Sequence, residues 1–477
     1  MVIQLVSTVV LARLLTPEDH GVVAMVLSVT GFFMVLRDMG LTDATIQQAK
    51  VTHEQISTLF WINAAFGLLL AFIVASLAPV IAWFFQEPAL KAITIVYAIS
   101  FIMSGLYTQH MALLRRGMYF RQLTLVEIFS SVFSVFVAII MAVRGFGYWA
   151  LVARPIVLAV SMAILVWYFC RWRPGKPSRR SGVGSMLRFG ANTLGYFVIN
   201  YFAKSFDKIL IGWRFGAVSL GFYHKASTLS SLPAGQMTIP LQSVAVTTLS
   251  KLKTEPAKYH KYFLNAIGTL SLIGMPVCGF LAADSKDIVY FLLGSQWDAA
   301  APLVTVLSIA ALLQLVGSTN GWLHVSLGHA DRWFRWGIIG SSVTVISFIA
   351  GLPFGAMGVA VSYATVSFIL TGPSLVYAGK PIGLTLMPML DAVWRYFVAS
   401  VLAGILTKYL FAYFLDFEWI LVRLFVFGVL YSIFYLLFVI ILHGSVAPIK
   451  QFLNHLRVLI PDRFAKKSLS AAPADPS

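Results

Sequence analysis

Long apolar runs, separated by short polar segments, recur along the whole chain. Most are long enough for a helix to cross the hydrocarbon core of a bilayer, which takes about 20 residues. Backbone groups inside a bilayer must find their hydrogen bonds within the chain, so such runs can span it only as helices. The pattern predicts an all-α polytopic membrane protein with about fourteen membrane-spanning helices. The predicted spans are 1–15, 20–36, 59–85, 92–113, 123–143, 146–170, 187–213, 217–248, 261–283, 299–327, 333–353, 356–378, 392–415 and 418–442.

The first span is shorter than the others. Fifteen residues reach about 22 Å at 1.5 Å per residue, less than the roughly 30 Å core. We expect either a shallow helix or a first helix that is truncated at residue 1.

Composition agrees with a membrane protein. The 477 residues are 59% hydrophobic and 11% charged, whereas an ordinary soluble domain has about 25% charged residues. A soluble enzyme and a disordered chain are therefore excluded. The net charge of +17 does not indicate a nucleic-acid partner, because the basic residues are spread over alternate loops between the apolar spans.

The charges of the loops predict the orientation of the chain. Basic residues concentrate in one set of loops, notably 171–180 and 251–261, and in the C-terminal tail, whereas the other set carries mainly acidic residues. The positive-inside rule places the basic loops and both termini in the cytoplasm. An even number of helices is then required, which agrees with fourteen.

Three pairs of similar segments lie 200 to 214 residues apart and predict an internal repeat. Gly21 pairs with Gly221, Gly147 with Gly355, and Arg121 with Arg335. Six helices in each half give two parallel lobes around a central cavity, a plan typical of transporters. The predicted divisions are an N-lobe at 1–170, a basic linker at 171–186, a C-lobe at 187–379, two appended helices at 380–445 and a cytoplasmic tail at 446–477.

Ionisable residues inside the apolar spans are the candidate functional groups, because they are costly in a bilayer. The seventh span is the most informative, since Lys204 and Lys208 share one helix face with Asp207 and Asn200 close by. This face lines a cavity or, alternatively, forms a structural ion pair at a helix end. The substrate-binding candidates are Arg37, Asp38, Asn200, Lys204, Asp207, Lys208 and Lys225. Because cations outnumber acids in the spans, an anionic substrate such as a phosphate or pyrophosphate is favoured.

Several of these residues have alternative roles. Lys225 lies near the outer end of its helix and could snorkel to the interface. Glu127 and Asp207 are the ion-coupling candidates, although Glu127 could also be a buried, hydrogen-bonded acid. Arg154, in the sixth span, is a further interior charge.

No sequence motif for catalysis, nucleotide binding or metal binding is found. The Gly-Lys pairs at 175 and 379 lack the other residues of a Walker A loop, and His53-Glu54 does not continue into HExxH. Cys170 and Cys278 lie far apart in apolar segments, which favours simple packing. We therefore predict no enzyme activity, no catalytic residues, no cofactor and no metal.

Long segments of the chain resemble bacterial polysaccharide-transport proteins of the multidrug/oligosaccharidyl-lipid/polysaccharide exporter superfamily. The similar segments are LARLLTPEDHG at 11–21, LFWIN at 59–63, GFGYWALV at 145–152, INYFAKSFDKILIG at 199–212, SQWDAAAPL at 295–303 and GWLHVSLGHADRWFRWG at 321–337. The resemblance implies a flippase that moves undecaprenyl-pyrophosphate-linked oligosaccharide across the bacterial inner membrane, driven by an ion gradient. It implies a lipid-linked oligosaccharide as substrate, contact with membrane lipid and polysaccharide polymerases as candidate partners.

Two alternatives remain open. A cation-coupled multidrug exporter of the same superfamily would be expected to use acidic groups for cationic drugs, and here interior Lys and Arg outnumber Asp and Glu. A scaffold subunit of a polysaccharide synthesis complex would leave the interior charges without a role.

Overall fold

All regular secondary structure in the described part of the computed structural model is helical. The structure describes residues 2–37, 45–46, 51–178, 184–415 and 417–450, without the side chains of 2, 35, 184–200, 202–204 and 239–240. The α-helices are α1 Val2–Leu14, α2 Pro17–Leu36, α3 His53–Phe85, α4 Ala89–Arg116, α5 Phe120–Val143, α6 Tyr148–Cys170, α7 Gly184–Leu252, α8 Pro256–Ala283, α9 Ser285–Leu293, α10 Ala301–Gly317, α11 Asn320–Leu327, α12 Ala330–Gly351, α13 Gly355–Gly379, α14 Leu386–Asp391, α15 Trp394–Tyr413 and α16 Ile420–His443.

Local sequence signals set where the helices begin. Thr16 caps α2 in a capping box, in which its backbone N–H donates to Asp19 Oδ2 at 2.9 Å and the Asp19 N–H donates to Thr16 Oγ1 at 3.2 Å. Pro17 follows at the first helical position, where its missing N–H costs nothing. α2 therefore starts three residues before the apolar run predicts.

Helix α7 contains two of the predicted spans. Gly216 has a non-helical conformation with φ of 76°, which glycine adopts without strain. The Tyr223 hydroxyl donates to Asp207 Oδ2 at 2.9 Å, although sixteen residues of continuous helix would separate these residues by about 24 Å. The two halves of α7 are therefore an antiparallel pair folded back at Gly216, as the sequence predicts.

The remaining long helices also match predicted spans, and α10 and α11 together cover the span at 299–327. The short helices α9 and α14 match no predicted span. The described helices are thus roughly consistent with the predicted count of about fourteen spans. Within the described residues, nine helical stretches are long and apolar enough to cross a membrane. One of these stretches, at 330–382, contains both α12 and α13. α1 is short, as predicted, and α7 carries the charged residues of the seventh span.

Helix α2 crosses the second half of α7 at two glycines. A Cβ on Gly21 would overlap the carbonyl oxygen of Ala217, and a Cβ on Gly221 would overlap that of Pro17. The sequence predicts that Gly21 corresponds to Gly221, and the two contacts are reciprocal. Small residues allow such close backbone approach between helices in membranes.

The appended helices α15 and α16 pack against α8. Ser400 Oγ donates to the carbonyl of Met275 at 3.0 Å, and the Tyr435 hydroxyl donates to that of Leu272 at 2.9 Å. A buried core that includes Cys278 joins these helices to α8, α10 and the second half of α7. The pair is thus attached to the side of the C-terminal half.

Residues 171–178 of the predicted linker lie against α3. The Gly175 N–H donates to Ser57 Oγ at 2.9 Å, and the Trp61 indole donates to the Gly175 carbonyl at 2.8 Å. Residues 179–183 of the linker and 451–477 of the predicted tail lie outside the described residues.

Candidate functional site

A cavity of about 490 Å³ lies between α1, α2, α4, α6 and the second half of α7. It extends along α2 from His20 to Arg37, a distance of about 25 Å in a helix. Its charged lining consists of Arg37, Arg154 and Lys225, with His20 and His224 beside them, and no acidic residue is among its described lining. A second cavity of about 620 Å³ shares Thr8, Arg154 and Thr228 with it. The adjoining cavities form one cationic space.

Lys225 lies inside this space. It is 8% exposed, and its Nζ is 5.8 Å from the centre of the Trp297 ring. It follows Gly216 by nine residues, which places it about 13 Å along its half of α7. Burial favours the cavity role over snorkelling. Within the described chain no carboxylate pairs with this ammonium, so an anion can be its partner.

Arg154 lines both cavities but was not among the predicted site residues. The signal was available, since an arginine inside an apolar helix is costly unless it faces a cavity. Pro155 follows directly and also lines the cavity. What the sequence could not supply is the direction in which this face of α6 points.

The predicted pair at the end of α2 is only partly described. Arg37 is half-buried and lines the cavity at the opposite end from His20. Asp38 lies outside the described residues.

The acid of the seventh span lies apart from the cavities. Asp207 is 7% exposed, and its carboxylate accepts hydrogen bonds from the Tyr223 hydroxyl at 2.9 Å and from the Lys208 N–H at 2.7 Å. Neither Asp207 nor the half-buried Lys208 lines either cavity. Asn200 and Lys204 are placed on α7, but their side chains lie outside the described residues.

Glu127, the other ion-coupling candidate, is on the exposed face of α5. Its neighbours Ile128 and Phe129 are exposed as well, at 46% and 59%. It lines neither cavity. The structure therefore does not bring Glu127 and Asp207 together.

The segment that follows α8 is hydrogen-bonded to the end of α1, beside the cavity-lining residue Leu11. We call the end of the bundle where α1 meets α2 the closed end, and residues 285–300 the closing segment. Gln296 Nε2 donates to the carbonyls of Ala12 at 2.6 Å and Leu15 at 3.0 Å. The Trp297 indole donates to Ala12 at 2.8 Å. The last turn of α1 is thereby attached to the closing segment.

Solved structures with the same fold are membrane transporters. The lipid II flippase MurJ in an inward-closed conformation matches with a TM-score of 0.74 and 16% identity, covering 93% of this chain and 96% of that chain. An inward-facing multidrug resistance MATE family transporter of the MOP superfamily matches with a TM-score of 0.64 and 13% identity, covering 80% of this chain and 94% of that one. The likeness shows that the chain shares the fold of these polytopic membrane proteins.

Sequence comparison adds the family. The model of the family described as "Polysaccharide biosynthesis protein" matches residues 10–302. The teichuronic acid biosynthesis protein TuaB of Bacillus subtilis (strain 168) is 30% identical over 411 residues, which is 85% of this chain and 84% of the relative. The chain belongs to this family of polysaccharide biosynthesis proteins.

Two further relatives carry related names. The lipopolysaccharide biosynthesis protein WzxC of Escherichia coli (strain K12) is 24% identical over 83% of this chain and 82% of its own length. The succinoglycan biosynthesis transport protein ExoT of Rhizobium meliloti (strain 1021) is 24% identical over 74% of this chain and 72% of its own.

Proposed function

We propose that the protein is a flippase for undecaprenyl-pyrophosphate-linked oligosaccharide units used in surface polysaccharide synthesis. The observation that carries the proposal is the cavity with Arg37, Arg154 and Lys225 and no described acidic lining residue. Guanidinium and ammonium groups are the natural donors to phosphate oxygens. The family of the chain and the names of its relatives support a role in polysaccharide export.

The cations would hold the pyrophosphate while the lipid tail stays in the bilayer. Residues on the outer surface of the bundle are apolar, among them Phe72 at 71% and Phe425 at 73% exposure, so the tail meets a compatible surface. Separating the charged head from water is costly, and the paired charges offset that cost. Alternation between two open states then carries the head group across.

The placement in the membrane belongs to the same proposal. We place the protein in the bacterial inner membrane with both termini and the basic loops in the cytoplasm. The closed end then faces outward. We retain the N-lobe at 1–170, the C-lobe at 187–379 and the appended helices at 380–445 as functional divisions, and polysaccharide polymerases as candidate partners.

An ion gradient would supply the energy. Asp207 is the better coupling candidate, because its buried carboxylate already accepts hydrogen bonds from Tyr223 and the Lys208 N–H. A buried carboxylate that stays charged without a partner is costly. Binding of a proton or a cation lowers that cost. Glu127, on an exposed face of α5, lacks such surroundings.

The experiment uses a strain that lacks this gene. The unsubstituted chain should restore surface polysaccharide and clear lipid-linked sugars from the cytoplasmic face, and collapse of the ion gradient should stop this clearance. The double variant Arg154→Ala/Lys225→Ala should restore neither, because it removes two of the three cavity cations. Lys91→Ala is the matched control, since Lys91 is exposed on the first turn of α4.

Full rescue by the double variant, at protein levels equal to those of the control, would contradict the proposal. A normal distribution of lipid-linked sugars in the deletion strain, together with sensitivity to cationic dyes, would favour the multidrug exporter. The cationic cavity argues against that alternative, because a cationic drug would be repelled there.

A further inference from the structure

The hydrogen bonds at the closed end run in both directions between α1 and the closing segment. The last carbonyls of a helix have no partner inside it, and those of Ala12 and Leu15 accept from Gln296 and Trp297. In return the Arg13 guanidinium donates to the carbonyls of Phe291 and Leu292, the latter at 3.4 Å. Side chains of α1 and of the closing segment therefore each donate to carbonyl groups near a helix end of the other. This reciprocal pairing makes the junction specific.

Trp297 also forms the wall behind the cavity cation. Its ring is fully buried and contacts the His20 ring at 5.4 Å between centroids and the Phe222 ring at 5.9 Å. Lys225 Nζ is 5.8 Å from the same ring. Attraction between an ammonium and the face of an indole is strongest where water is excluded. One side chain thus contacts both the cavity cation and the last turn of α1.

Opening of the closed end requires these contacts to separate. α1 lies in the N-terminal half and the closing segment in the C-terminal half, so any outward opening between the halves breaks the bonds of Gln296, Trp297 and Arg13. The same motion withdraws the ring of Trp297 from Lys225. An anion that binds Lys225 replaces the ring as the partner of the ammonium and so weakens one of the interactions that favour closure.

We propose that Trp297, with Gln296 and Arg13, is a latch on the closed end, and that Trp297 acts as a positioning residue that links the latch to the charge of Lys225. With the cavity empty, Lys225 lies over the indole and the latch stays closed. An anionic head group at Lys225 shifts the population toward the open form. The inference rests on the proposed function in taking that anion to be a pyrophosphate.

The test measures the closed end directly in purified protein in lipid nanodiscs. Spin labels at Glu18→Cys and Ala299→Cys, both exposed positions on opposite sides of the latch, report the distance by pulsed electron spin resonance. The background carries Cys170→Ala and Cys278→Ala. Trp297→Phe keeps a ring beside Lys225 but removes the N–H donor, and we expect the open population to increase about 5- to 10-fold.

A second variant and a matched control test the latch even if the substitution at Trp297 disturbs the fold. Gln296→Ala, at an exposed position, removes both bonds to α1 and should increase the open population to a similar extent. Trp322→Phe makes the same chemical change at a buried tryptophan in the core that includes Cys278, and the indole of Trp322 has no hydrogen-bond partner among the described residues. It should leave the distances unchanged.

Inorganic pyrophosphate is the probe for the proposed link between the latch and the charge of Lys225. Pyrophosphate should raise the open population of the unsubstituted protein, and Lys225→Met should abolish that response. Distances in Trp297→Phe and Gln296→Ala equal to those in Trp322→Phe would overturn the latch, and an undiminished response in Lys225→Met would overturn the link. Neither the spin-label distances nor their response to pyrophosphate requires a transported lipid. If both behave as expected but the deletion strain has a normal distribution of lipid-linked sugars, only the proposed function is contradicted.

Discussion

At the scale of single residues, burial of the cavity cations carries a cost that a bound anion can offset. A charged group that is removed from water and has no partner destabilises the fold. Lys225 is buried, and its described neighbours include Trp297 but no paired carboxylate. Groups of this kind are retained for binding and lower the stability of the empty protein.

Replacement of Lys225 by methionine should therefore stabilise the empty protein while it abolishes transport. Methionine keeps most of the apolar stem and removes the charge. We expect the free energy of unfolding to rise by roughly 1 kcal/mol, measured as an increase in the melting temperature in detergent. Lys91→Met at an exposed position should change neither property. A lower melting temperature for Lys225→Met would contradict this prediction.

At the scale of elements, the crossing of α2 and α7 depends on two glycines. Alanine at Gly21 or Gly221 would place a methyl group on a backbone carbonyl of the other helix, and backbone has little freedom to move away. Each substitution should destabilise the protein by about 1–3 kcal/mol. The two effects should be similar, because the contacts are reciprocal.

Gly235→Ala provides the control on the same helix. Nothing lies within 4 Å of a Cβ at this position, so the substitution should be neutral or slightly stabilising. Thermal unfolding of the three purified variants checks the prediction. Equal melting temperatures for all three would show that the crossing does not require glycine.

Helix α9 also forms an ion pair with α16. Arg423 Nε on α16 lies 2.6 Å from Asp287 Oδ2 in the first turn of α9. Asp284, just before α9, is 7% exposed. Burial first, and the carboxylate of Asp287 second, raise the pKa of Asp284 from 3.8 to about 7, although Arg423 and Lys408 oppose the shift.

This shift predicts a pH dependence. The folded protein binds the Asp284 proton more tightly than the unfolded chain, so the free energy of unfolding should fall as the pH rises from about 4 to about 7. Asp284→Asn removes the carboxylate and should raise the melting temperature at pH 8 more than at pH 5. An equal shift at both pH values would contradict the assignment.

At the scale of the whole molecule, the sequence predicts where the helices lie along the chain better than which helices contact one another. Runs of apolar residues define the spans because the bilayer requires helices of that length. The boundaries differ where polar caps lie outside the apolar run, as Thr16 and Pro17 do before α2. The repeat predicted that Gly21 corresponds to Gly221, but the contact between their helices is visible only in three dimensions.

The candidate site could be predicted only in part for the same reason. Lys225 and Arg37 line the cavity as charged residues in or at the ends of spans, whereas Asp207 faces Tyr223 within its own helix pair. Periodicity identifies a polar helix face but not the helix opposite it. Trp297, within the SQWDAAAPL segment, carries no charge and gave no functional signal before its contacts with α1 and Lys225 were known.

The junction at the last turn of α1 has a consequence for how such proteins diverge. Its acceptors at the end of α1 are main-chain oxygens of Ala12 and Leu15, which every amino acid possesses. Substitution at those two positions leaves the acceptors in place, whereas substitution at Gln296 or Trp297 removes the donors. The same holds for Arg13, which donates to main-chain oxygens of the closing segment. Each donor can therefore change without a matching substitution across the junction, and correlated substitutions between the two sides, the usual statistical sign of a contact, should be weak.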